Sequence, residues 1–207
     1  EASKILTEVH YDSIYHEHTF YHSIRSMSEA QKSIGLIPFD LLESPISGGS
    51  YILISSRDAR EPSERLIKAM ENEKSLGVQS ESAWMEFSRL ARENLRLIQE
   101  FLTSAGNIKL KAFGASARSS TLMNAIGPAA LLLGEIADNN PLKWGKLSPG
   151  LYRPIDSPKL VIDDSVDIVF ICPFNFEAEI VSYLKNELKW RGKVYLPLPG
   201  KPRIYSI

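Results

Sequence analysis

The sequence predicts an α/β fold: a parallel β-sheet flanked by helices, preceded by a segment made of a helix and a β-hairpin. Three observations predict it. From Asn107 onward, short apolar runs alternate with amphipathic ones, as strands and helices do in a βαβ chain. Those apolar runs are nearly uninterrupted, which suits strands buried on both faces. Upstream, the runs 36–43 and 50–56 flank a short stretch containing proline and glycine, the pattern of an antiparallel hairpin.

Each element has its own signal. The aromatic and β-branched residues of 10–22 predict a strand running into a loop. A short helix follows. Ser26-Met27-Ser28-Glu29 has the spacing of a capping box, Met27, Ala30 and Ile34 share a face, and Gly35 supplies the stop. The hairpin turn is Ser44-Pro45-Ile46-Ser47-Gly48-Gly49. The charged stretch 57–63, with Pro62, marks a boundary. The chain therefore divides into 1–60, connecting helices over 61–106, and a sheet domain over 107–207.

Pro62 suits the first turn of the first connecting helix, which ends near Gly77. The second helix covers 81–105, with Trp84, Phe87, Ala91, Leu95, Ile98 and Phe101 on one stripe that reads as core. Strands then follow at 108–113, 131–137, 166–172 and 193–198, with helices at 117–126, 158–162 and 177–190. Ile180, Val181, Leu184 and Leu188 form the inner face of the last helix. This is a Rossmann-like arrangement of about four or five parallel strands. Pro197-Leu198-Pro199-Gly200 reads as its terminator.

Composition narrows the function classes. Hydrophobic residues are 43% and charged residues 24%, as in soluble globular proteins. A net charge of −1 and a pI near 6.5 favour neither nucleic acid nor an anionic membrane as partner. The apolar runs 129–133 and 168–172 are far shorter than the roughly 20 residues that span a bilayer. Cys172 is the single cysteine, which excludes an intrachain disulfide and fits the reducing cytoplasm. No signal peptide is visible, and the opening Glu1 reads as the start of a fragment or a processed chain.

All four histidines fall at positions 10, 16, 18 and 22, among Tyr11, Tyr15, Tyr21 and Glu17. Histidine titrates nearest working pH, so the cluster is a candidate for proton transfer, with packing histidines as the alternative. A zinc hydrolase is a further reading, but no cysteine is near and two histidines one helical turn apart around a glutamate are absent, so no metal site is predicted.

Three loops follow predicted strands, where open α/β sheets bind ligands. Gly114-Ala115-Ser116-Ala117-Arg118-Ser119-Ser120-Thr121 opens a helix with small residues, hydroxyls and a cation. It reads either as an anion site or as a tight turn with a hydroxyl cap. It carries neither the dinucleotide glycine pattern nor a Walker A loop. Asp138-Asn139-Asn140-Pro141 reads as a ribose contact or as a plain turn. Pro173-Phe174-Asn175-Phe176 is the third loop.

Taken in order, Tyr15-His16-Glu17-His18, Gly48-Gly49-Ser50, Gly114-Ala115-Ser116-Ala117-Arg118 with Thr121-Leu122-Met123-Asn124, Asp138-Asn139-Asn140-Pro141 and Asn175-Phe176 form a set. The set resembles the C-terminal part of the S-adenosylmethionine-dependent sugar C-methyltransferases, which act on nucleotide-linked keto sugars. The resemblance covers nearly the whole chain.

It implies that residues 1–60 close the central methyltransferase domain and that a Rossmann-like C-terminal domain follows. It also implies catalytic roles for Tyr15, Glu17 and His18, with His18 as general base, and a nucleotide-linked sugar held by Gly114, Ser116, Arg118, Thr121, Asp138 and Asn175. Arg118 stands where many relatives carry lysine. In a regular strand Tyr15 and Glu17 would face away from His18, so the segment must bend. The zinc cysteines and the glycine-rich loop for S-adenosylmethionine have no counterpart here, so the chain alone is expected to bind no methyl donor and to be inactive. The alternative is a module that binds a nucleotide or nucleotide sugar without catalysis.

Overall fold

A computed structural model describes residues 1–44 and 49–207. They gather into two compact units: Glu1–Val9 with His18–Arg89, and His10–Glu17 with Leu90–Ile207.

The first unit contains α1 (Ala2–Glu8), α2 (Ile24–Lys32), β1 (Ile37–Ser44), β2 (Ser50–Ser56), α3 (Glu64–Ser75) and the first turns of α4 (Glu81–Ser104). β1 and β2 pair antiparallel, with Ile37 opposite Ser56 and Ser44 opposite Ser50. The expected hairpin is therefore present, while most of its turn, with Gly48 of the quoted motif, lies outside the described residues. Ile24, Leu41 and Leu66 form one small core, and Ala2, Leu6 and Val78 another, packed on by Trp84 and Phe87.

Two caps differ from expectation. α2 begins three residues earlier, with Ser23 as its cap. The Ser23 hydroxyl accepts from Ser26 N–H, and Ser26 returns a bond to Ser23 N–H, so Ser26 is the third helical residue and not the cap. Ser63 caps α3 and leaves Pro62 just outside the helix.

The second unit is built on a sheet whose parallel members are β3 (Leu110–Phe113), β4 (Ile136–Ala137), β6 (Pro154–Asp156), β7 (Ile168–Ile171) and β8 (Lys193–Leu196). Antiparallel strands close both edges: β5 (Lys146–Leu147) beside β6, and β9 (Arg203–Ser206) beside β8. The order is β5-β6-β4-β3-β7-β8-β9. Helices α5 (Ala117–Ile126), α6 (Pro158–Val161) and α7 (Glu177–Asn186) connect the strands. From β3 the chain steps outward through β4 and β6, then crosses to the other side of β3 for β7 and β8. The winding thus reverses between β3 and β7, where such sheets place ligands. Phe170, Ile171, Ile136, Leu122, Leu184 and Leu196 are fully buried at the centre. On α4, Ala91, Ile98 and Leu102 are buried and Phe101 stacks on Tyr195 at 4.2 Å, so this stripe is core.

The sheet matches the predicted parallel architecture but adds edges that the sequence reading lacks. Residues 131–137 are not one strand. A 3-10 helix, Gly127–Leu133, with Pro128 in its first turn, takes the first three residues of the run, and Gly134 at φ 63° ends it. Only Ile136 and Ala137 join the sheet. Nor is 10–22 a strand: Tyr11–Ser13 form a 3-10 turn, and Tyr15–Glu17 turn again. Pro197-Leu198-Pro199-Gly200 is more than a terminator, because it turns β8 into β9. No helix among the described residues is long and apolar enough to cross a membrane.

Candidate functional site

The winding reversal is walled by the three loops at the carboxyl ends of β3, β4 and β7. β3 ends at Phe113, and Gly114 turns the chain at φ 93°. A Cβ here would stand 2.5 Å from Pro173, so only glycine lets the β3 and β7 loops close on each other. Gly114 N–H donates to Ala137 O at 2.7 Å, which ties the turn to β4. Ser116 then caps α5, its hydroxyl accepting from Ser119 N–H at 3.1 Å. The N–H groups of Ala117 and Arg118 precede the first intrahelical bond, as at any helix start.

Asp138 organises the wall. It is buried, and its carboxylate accepts from Ala115 N–H at 2.7 Å, Asn140 N–H at 2.8 Å and Lys143 Nζ at 3.0 Å. Its carbonyl accepts from Trp144 Nε1 at 2.7 Å. The loops enclose a cleft of about 290 Å³, lined among others by Gly114, Ser116, Asp138, Lys143, Pro173 and Phe176. One cation, Lys143, two carboxylates, Asp138 and Glu179, small residues at a helix start and an exposed aromatic ring line it, which suits a ligand with a polar end and a flat one.

Of the residues singled out from sequence, Gly114, Ser116 and Asp138 meet in this cleft. Arg118, Thr121 and Asn175 are not among its lining residues. Thr121 Oγ1 donates to Ala117 O within α5. The Arg118 guanidinium is paired with Asp12, Nε to Oδ2 at 2.7 Å and an η nitrogen to Oδ1 at 3.0 Å. The cation that lines the cleft is Lys143, which the sequence reading missed. Its signal was the run Asp138-Asn139-Asn140-Pro141-Leu142-Lys143, a tight turn that returns a lysine to the aspartate that opens it.

The histidine-bearing stretch is divided between the units. His10–Glu17 belongs to the second unit, although the chain on both sides of it belongs to the first. His10 is buried, with its ring 4.9 Å from that of Phe174. Tyr11 is buried and donates to Asn94 Oδ1 at 2.7 Å. Burial raises the Tyr11 phenol well above its ordinary range, so it is a fixed donor and not an acid. Tyr15 is half-buried, and His16, Glu17 and His18 are exposed. The chain turns at Tyr15–Glu17 and re-enters the first unit at His18. His18 and Tyr21 meet edge to face at 6.4 Å, and His22 stacks on Phe20 at 6.0 Å.

A mostly parallel sheet with helices between its strands and a loop-walled cleft at its winding reversal defines the class of open, Rossmann-like α/β domains. Within that class, residues 45–199 match the family model of the C-methyltransferase C-terminal domain, and the chain belongs to that family. It is also similar to the C-methyltransferase NovU of Streptomyces niveus, with 27% identity over 207 residues, 98% of this chain and 49% of the relative. The chain thus spans about half the length of this curated relative.

Proposed function

We propose that this chain supplies the sugar-binding and proton-abstracting part of a methyltransferase acting on a carbon next to the ketone of a nucleotide-linked keto sugar. The observation that carries the reading is the cleft at the winding reversal, in a chain of the C-methyltransferase family. The nucleotide end of the substrate takes the cleft: Lys143 and the helix start face its phosphates, and Phe176 offers a flat apolar contact.

A ketone acidifies the neighbouring C–H. His18, in this reading, removes that proton, Tyr15 donates a hydrogen bond to the developing enolate oxygen, and Glu17 orients a sugar hydroxyl or a neighbouring side chain. S-adenosylmethionine, when bound, supplies the methyl group to the enolate carbon. It is assigned to a part of the enzyme upstream of this chain. The turn after β3 does not fit a glycine-rich donor loop: Gly114 is its one glycine, and Pro173 closes against it.

Calorimetry with a nucleoside diphosphate tests the binding half of the proposal. Lys143→Ala is expected to weaken binding by about 1–3 kcal/mol, the worth of a charge-assisted contact. Unchanged affinity in this variant removes Lys143 from the site. A methyl-transfer assay on the chain joined to its upstream part separates catalysis from a module that only binds.

A further inference from the structure

Arg118 stands in the first turn of α5, beside Ser116 of the cleft, yet its guanidinium is engaged by Asp12. The pair joins residues 106 positions apart. Asp12 is 1% exposed and the Arg118 side chain 14%. The same guanidinium lies 4.9 Å from the centre of the Phe174 ring, which also packs on His10. One residue before Asp12, Tyr11 donates to Asn94, whose amide donates in turn to the carbonyls of Pro197 at 2.8 Å and Gly200 at 2.5 Å. Three residues after Asp12 comes Tyr15.

A buried pair of this kind adds little net stability, because burial penalises both charges; burial raises the Asp12 carboxyl, and the Arg118 bonds offset only part of that rise. What the planar fork supplies is geometry, since two parallel bonds fix both direction and distance.

We propose that Arg118 is a positioning residue. Through Asp12 it fixes the Tyr15-His16-Glu17 turn in register with the cleft-lining start of α5, so that a ligand in the cleft and the turn share one frame. The functional side of this inference rests on the reading of the cleft given above; its structural side does not.

Amide hydrogen exchange on the 207-residue chain reads the structural side without any ligand. The N–H groups of Ser13 and Ile14 bond to the carbonyls of His10 and Tyr11, so they report whether the segment is held. Arg118→Met and Asp12→Asn are expected to speed their exchange about tenfold or more, while amides of β7 and β8 keep their protection. Arg118→Lys, which keeps the charge and loses the fork, should fall between. In the complete enzyme the same variants should lower kcat about 10- to 100-fold and leave KM for the nucleotide-linked substrate within about threefold, as misplacement of reacting groups does.

Unchanged exchange at Ser13 and Ile14 overturns the proposal. So does a nucleoside diphosphate affinity weakened about tenfold with kcat retained, which would make Arg118 an anion ligand. Should Arg118→Met fail to fold, Arg118→Lys and Asp12→Asn carry the same test. If the wild-type chain binds no nucleotide, the cleft reading fails, and the exchange result still decides whether the segment is clamped.

Discussion

Replacing His18 with alanine in the complete enzyme is expected to lower turnover by about 100- to 10,000-fold, the usual worth of a positioned proton acceptor. All four histidines of the chain fall within residues 10–22, and the structure gives them different surroundings. His10 is buried against Phe174, whereas His16 and His18 are exposed around the turn at Tyr15–Glu17. A base acts in the transition state, so the affinity of His18→Ala for substrate should change far less than its turnover. His16→Ala should be the milder change. Exchange of the substrate's α-proton with deuterated solvent, followed without methyl transfer, isolates the step. Near-normal turnover in His18→Ala beside a dead His16→Ala would move the base to His16. Near-normal turnover in both variants would leave the histidines structural.

Gly114→Val is expected to cost about 2–5 kcal/mol of stability and to abolish ligand binding in the cleft. Two costs add. Gly114 sits at φ 93°, a conformation that penalises a β-branched residue. The new side chain would also begin 2.5 Å from Pro173, forcing the β3 and β7 loops apart where they wall the cleft. Denaturant unfolding gives the first cost and nucleotide titration the second. A Gly114→Val chain with wild-type stability and affinity would show that the two loops are free to separate.

Much of this was legible in the sequence, and the misses have separate causes. The bounds of α5 were readable because its cap and its periodicity are local: Ser116 bonds Ser119 N–H three residues on. The parallel core was readable because β3, β7 and β8 are nearly continuous apolar runs. The stretch 10–22 misled because its side chains answer to distant partners. Tyr11 is held by a residue 83 positions away, and Asp12 by one 106 positions away, so Tyr11 reflects docking and not strand propensity.

Residues 131–137 misled because Gly127, Pro128 and Gly134 outweigh the leucines between them: Leu131 and Leu132 lie exposed, and Leu133 is buried. β9 carries no burial pattern at all, since its four residues are exposed. In the cleft, the loops and Gly114, Ser116 and Asp138 were readable from strand ends alone. The switch of cation from Arg118 to Lys143 was not, because it depends on which buried carboxylate each cation meets: Asp12, which does not line the cleft, takes Arg118, and Asp138, which does, takes Lys143.

In the proposed function the nucleotide end of the substrate binds at the winding reversal. The most direct test is an amide NMR titration of the 207-residue chain with a nucleoside diphosphate. Saturable shifts are expected at Gly114 to Arg118 and at Asn139 to Lys143, with the amides of β1 and β2 unmoved. Shifts confined to other residues, or none at millimolar ligand, where even a dissociation constant of about 1 mM would register, would contradict it.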